Sequence, residues 1–130
     1  MSVGSKRQGS AQPQGCWIVK AKRAAIYERD SWTCAYCGRG PRDARRMSQA
    51  ASVLTLDHLT PRSAGGSNDQ RNIVTACRTC NSSRQNRDWR DFAPGGAQER
   101  IEFLVEQPLD IELGRAIVAS LDGDPVEELR

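Results

Sequence analysis

Two C-x-x-C pairs, Cys34/Cys37 and Cys77/Cys80, separated by 39 residues, constrain this chain more than any other feature. Each pair puts two sulfurs within reach of one ion, and two pairs complete a tetrahedral zinc shell with no open position. An ion held this way ties the segment near residue 34 to the segment near residue 80 and clamps whatever lies between them. A closed shell has no place for a reacting water, so the expected zinc is structural. The one histidine of the chain, His58, lies between the pairs and is not needed to complete the shell.

Composition agrees with a metal staple. A chain of 130 residues makes one domain with appendages, and 38% apolar and 5% aromatic residues supply only a thin core. Met1 to Gly15 is polar and does not resemble a signal peptide, which favours zinc-binding cysteines in a reducing cytoplasm over disulfides. Cys16 has no pair-mate and reads as a free thiol. The apolar runs are too short to span a membrane. The Arg- and Ala-rich composition is compatible with a bacterial or phage source.

The net charge of +3 conceals an asymmetry. Residues 1–50 carry ten Lys/Arg and three Asp/Glu, residues 51–92 carry six and four, and residues 93–130 carry three and nine. The basic part holds the cysteines and the histidine, as expected of a site that meets a polyanion. The acidic tail is not suited to nucleic acid.

Three regions follow from the pattern. Residues 1–15, rich in Ser, Gly and Gln, read as a disordered arm. Residues 16–92 form the domain around the motif, and residues 93–130 an acidic helical extension. Within the domain, Trp17 to Arg29 is helical, with Ile18, Ala21 and Ala25 on one face, and Asp30 and Ser31 end it. Gly38 lets the chain turn after the first cysteine pair. Val53 to His58 and Ile73 to Cys77 read as strands, 63–68 as a loop, and Arg78 to about Asp88 as a helix. Beyond Pro94-Gly-Gly96, a short helix around Ile101 is expected. A second is capped by Asp110, its stripe Leu113, Ala116, Ile117 and Leu121 packing on the domain.

The residues between the zinc half-sites carry a second pattern. Hydrolysis of a phosphodiester requires a base for the attacking water, neutralisation of charge on the phosphate, and stabilisation of the leaving oxygen. A neutral imidazole, here His58, serves the first near neutral pH. A divalent ion serves the others as a Lewis acid, and Asp57 and Asn81 offer the oxygen donors that magnesium or manganese accepts. Asp57 and His58 are adjacent, so in a regular strand they point to opposite faces. Asn81 follows Cys80 directly, so a structural zinc fixes its position.

Cys34-x-x-Cys37, Leu56-Asp57-His58-x-x-Pro61, Gly65-Gly66, Asn72 and Cys77-x-x-Cys80-Asn81 together resemble the HNH endonuclease family, in its branch with a four-cysteine zinc site. The lead-in from Ala25 to Trp32 is similar too, and the likeness covers about residues 20–88. It implies an α+β chain with a ββα-metal core, a hairpin and helix around one divalent ion, with flanking helices. It implies that His58 is the general base, that Asn72 braces the loop that orients it, and that Asp57 binds the catalytic metal. Asn81 stands where the family name places its final histidine. The amide oxygen makes the site harder and favours magnesium or manganese over nickel or zinc. Arg84, one turn beyond Asn81, and Arg62 are candidates to meet the phosphate, with Arg42, Arg45 and Arg46 extending the footprint.

The expected function is metal-dependent hydrolysis of DNA with little intrinsic sequence preference, because one small hairpin-helix unit reads few bases. Specificity then needs a second domain, a partner or dimerisation, and residues 93–130 are the available surface for a protein contact. The alternative is a non-catalytic four-cysteine zinc module that binds nucleic acid or protein. An RNA-cutting toxin ranks below both, since no aromatic stacking platform is visible.

Overall fold

The computed structural model describes residues 18–40 and 53–119. The arm, Cys16, Arg42, Arg45, Arg46 and Leu121 lie outside them. Helix α1 (Lys20–Arg29) leads into the first cysteine pair; strands β1 (Leu54–His58) and β2 (Ile73–Cys77) follow, then helices α2 (Arg78–Arg84), α3 (Trp89–Phe92), α4 (Ala97–Val105) and α5 (Ile111–Ile117). Short 3-10 turns at Arg62–Ala64 and Gln70–Asn72 interrupt the loop between the strands.

The strands pair antiparallel, with Leu54 opposite Cys77, Asp57 opposite Val74 and His58 opposite Ile73. Two five-residue strands do not hold by themselves in water. Here all of β2 is buried, between two apolar clusters. On one side, Ile73 packs with Leu54, Leu56, Ile26 and Ile117; on the other, Val74 and Ala76 pack with Tyr36, Leu59, Trp89 and Ile101. The alternation of a regular strand therefore puts Asp57 on the second face and His58 at the end of the first.

Helix α1 is docked by a buried ion pair as well as by its apolar face. Arg29 Nε donates to Asp30 Oδ1 at 2.6 Å, and its Nη1 and Nη2 donate to the carbonyls of Gln70 and Ile73. Asp30 Oδ2 accepts from Thr75 N at 2.8 Å, so the pair has backbone partners as burial of charge requires. The helix begins at Lys20, three residues after the predicted Trp17, and ends at Asp30.

Helix α2 is shorter than the pattern predicts. It stops at Arg84 because Gln85 takes a left-handed φ of 52°. Asp88 then caps α3 by accepting from Arg90 N. The described part of the extension packs against the elements before it. Helix α4 buries Ala97 and Ile101 and sends Arg100 to the carbonyls of Ala35 and Tyr36. Helix α5, capped by Asp110 as predicted, packs on α1 through Gly114 and Ile117. The predicted stripe is rotated: Leu113 and Ala116 face solvent, because the small Gly114 allows the closest approach of the two helices.

A Cβ at Gly114 would meet the Ala21 carbonyl oxygen at 2.1 Å, which backbone cannot absorb. We expect Gly114→Ala to push α5 off α1 and cost about 1–3 kcal/mol in chemical denaturation. Unchanged stability would mean that α5 does not dock there in solution.

Candidate metal centre and active-site cleft

The four predicted cysteines converge. Cys34, Cys37, Cys77 and Cys80 place their sulfurs within 4.8 Å of one another, with Cys37 Sγ and Cys77 Sγ 3.8 Å apart. A tetrahedron with zinc–sulfur bonds of about 2.3 Å has edges of about 3.8 Å, so the quartet fits one zinc ion with little adjustment. Backbone amides support the sulfurs: Cys37 N donates to Cys34 Sγ and Cys80 N to Cys77 Sγ. Gly38, at φ 82°, makes the predicted turn after the first pair.

Burial and the neighbouring sulfurs shift these thiols in different directions. Burial pushes the Cys34 and Cys80 thiols above their ordinary value, and the neighbouring sulfurs add to it at Cys80. Burial acts the same way on Cys37, but hydrogen bonds from the Arg39 amide and the neighbouring cysteines outweigh it and lower that thiol. Four thiolates this close repel one another unless a positive ion sits among them.

The residue between the first two cysteines reaches the strand. Tyr36 is buried, and its hydroxyl donates to Asp57 Oδ2 at 2.5 Å. Burial, and then the Asp57 charge, raise the Tyr36 hydroxyl above its ordinary value, so it remains a donor. From the other side, Arg84 Nη1 donates to both Asp57 oxygens, at 2.9 and 2.8 Å. The remaining Arg84 contacts are main-chain carbonyls: His58, Leu59 and Arg87. Arg84 is only 2% exposed. This corrects its expected role at the phosphate: its guanidinium is turned inward, as the partner of a buried carboxylate and a clamp on the end of β1.

His58 leaves the strand at a cleft of about 220 Å³ lined by Asp57, Arg62, Asn81, Arg84 and their neighbours. Both members of the Asp57-His58 pair thus border one cleft despite their opposite directions in the strand. Asn81 Nδ2 donates to the Leu56 carbonyl, so its Oδ1 is left available on the cleft wall. Asp57 Oδ2 accepts two hydrogen bonds and Oδ1 one, which leaves Oδ1 a lone pair. The donors present, one carboxylate oxygen and one amide oxygen, are hard and fit magnesium or manganese. Among the described residues, the cysteines form the one group of three or more His, Cys, Asp or Glu donors able to hold an ion. Arg62 is exposed at the cleft and spends one contact on the Gly66 carbonyl.

Asn72 stands apart from the cleft and spends its side chain on the loop between the strands. Its Oδ1 accepts from Thr60 N, and its Nδ2 donates to the carbonyls of Thr60 and Ser67. Gly66 makes room for this brace, since a Cβ there would lie 1.7 Å from the Thr60 oxygen and 2.9 Å from Asn72 Nδ2. Sequence reasoning missed two residues. Tyr36 lies inside a C-x-x-C where any residue fits the metal pattern, and Asn68, which touches His58, lies in a loop whose composition signals only a turn.

Residues 34–87 match the family model described as HNH endonuclease, and the chain carries an HNH domain over that stretch. A comparison with curated proteins finds no match. No helix among the described residues is long and apolar enough to cross a membrane.

Two outcomes test this geometry. Cys77→Ser should release the bound metal and unfold the domain, because metal binding and folding are coupled in such sites; a folded, metal-free Cys77→Ser protein would contradict the staple. Arg84→Met should cost about 3–5 kcal/mol by stranding a buried carboxylate. Arg115→Met, which breaks the exposed pair with Glu112, should cost no more than about 1 kcal/mol. Equal losses in urea titrations of the two variants would refute the inward placement of Arg84.

Proposed function

We propose that the chain is a metal-dependent endonuclease that hydrolyses DNA phosphodiester bonds, with His58 as the general base. The observation that carries this reading is that His58 borders the cleft, outside the sulfur quartet, with oxygen donors from Asp57 and Asn81 on the same walls. The family match over residues 34–87 supports the same chemistry.

In this reading His58 takes the proton of the attacking water. Asp57 and Asn81 hold magnesium or manganese, which when bound neutralises phosphate charge and stabilises the leaving oxygen. Arg62 offers its free guanidinium edge to the phosphate at the cleft mouth. Tyr36 and Arg84 hold Asp57 in place, so that one carboxylate oxygen is presented without the freedom to turn away. DNA is the partner, with sequence preference left to other contacts. The site of action is the cytoplasm of a bacterial or phage-infected cell. The exposed acidic residues of α4 and α5, such as Glu102 and Glu112, form the surface for a protein partner.

A second reading, a zinc module that binds without cutting, is favoured by one observation: the carboxylate of Asp57 is already held by Arg84 and Tyr36. Supercoiled-plasmid cleavage with magnesium, manganese or EDTA separates the two. Metal-dependent nicking that falls about 100-fold or more in His58→Ala is expected. Wild-type protein that binds plasmid but leaves it intact with every metal would establish the second reading.

A further inference from the structure

His58 Nε2 lies 2.7 Å from Asn68 Oδ1. An amide oxygen only accepts, so the proton of a neutral imidazole sits on Nε2 and the lone pair on Nδ1. Nδ1 has no partner among the described residues.

Asn68 is itself held in place. Lys22 Nζ on α1 donates to the Asn68 carbonyl. On one side, Ser67 O accepts from Asn72 Nδ2 at 2.9 Å; on the other, Asp69 Oδ1 accepts from Arg71 N at 2.8 Å and starts the second 3-10 turn. The loop is pinned at three successive residues, 67, 68 and 69, by groups from α1 and from the loop's own end. That rigidity does nothing for the apolar core, since residues 67–69 bury no hydrophobic side chain. The Asn68 amide oxygen of this pinned loop meets the His58 imidazole.

We infer that Asn68 is a positioning residue for the base: it fixes the Nε2–H tautomer of His58 and leaves Nδ1 as the proton acceptor at the cleft. The inference rests on the general-base reading of His58 but is tested independently of it. A partner of this kind acts by holding the ring's orientation and tautomer, and its loss typically reduces activity about ten- to a hundred-fold.

The chain has a single histidine, so nitrogen-15 NMR of the full protein reports this ring without assignment ambiguity. In alkaline buffer, above the usual imidazole titration range, wild type should show the Nε2–H tautomer alone. Asn68→Ala should show a mixture of tautomers and a kcat for plasmid nicking with magnesium reduced about ten- to a hundred-fold, with KM unchanged. Asn68→Asp, which keeps an acceptor oxygen at the same reach, should restore the tautomer and most of kcat. An Nδ1–H tautomer in wild type, or a tautomer that Asn68→Ala leaves unchanged, overturns the inference. If the tautomer depends on Asn68 while His58→Ala cleaves as fast as wild type, the positioning contact stands and the general-base reading falls.

Discussion

The rest of the structure depends on the convergence of four sulfurs from two distant segments. A two-stranded hairpin with a seven-residue helix behind it is too small to fix its own geometry. The quartet closes the distance between the turn after α1 and the junction of β2 with α2. Both cysteine-bearing segments then send a side chain to the same carboxylate. Tyr36 lies between the first two cysteines, Arg84 lies four residues past Cys80, and both end on Asp57. A zinc ion held by the quartet therefore acts on the cleft without entering it: it sets where Tyr36 and α2 sit, and they set where Asp57 and the end of β1 sit.

The structure divides labour between soft and hard donors. The sulfurs are gathered on one side of the hairpin, where they could complete the shell of a tetrahedral ion. The oxygens of Asp57 and Asn81 and the imidazole of His58 gather at the strand end, where the chain opens to solvent. Burial of the Asp57–Arg84 pair is expensive unless every group is matched, and here it is matched by Tyr36 and three carbonyls. Such a network stabilises little over an apolar core of the same shape, but it tolerates only one arrangement of β1, the turn that carries the first cysteine pair, and α2. The loop from Thr60 to Asn72 repeats the principle with neutral groups: Asn72 ties its two ends, and Gly66 lets them approach.

Much of this was legible in the sequence, and the reasons are local. C-x-x-C spacing is a statement about ligand reach and needs no fold, so the quartet followed from it. The two strands and α2 followed from residue patterning, and their arrangement as a hairpin with a helix from the family likeness. Asp110 as a cap followed from its side chain and the apolar stripe after it. What stayed hidden depends on partners distant in the chain. Arg84 reads as a surface cation because nothing near it in sequence says that a carboxylate 27 residues earlier will be buried against it. Asn68 reads as a turn residue because the imidazole that it meets is ten residues away. The stripe of α5 was misphased because Gly114, which has no side chain to count as apolar, decides which face can approach α1.

The central claim is that the metal shell is made of sulfur alone, so that His58 is left for chemistry. Zinc-edge X-ray absorption on the purified full chain tests it directly. The account predicts one zinc per chain surrounded by four sulfur scatterers at about 2.3 Å. A shell containing a nitrogen scatterer at about 2.0 Å, in place of one sulfur, would put His58 on the zinc and contradict the account.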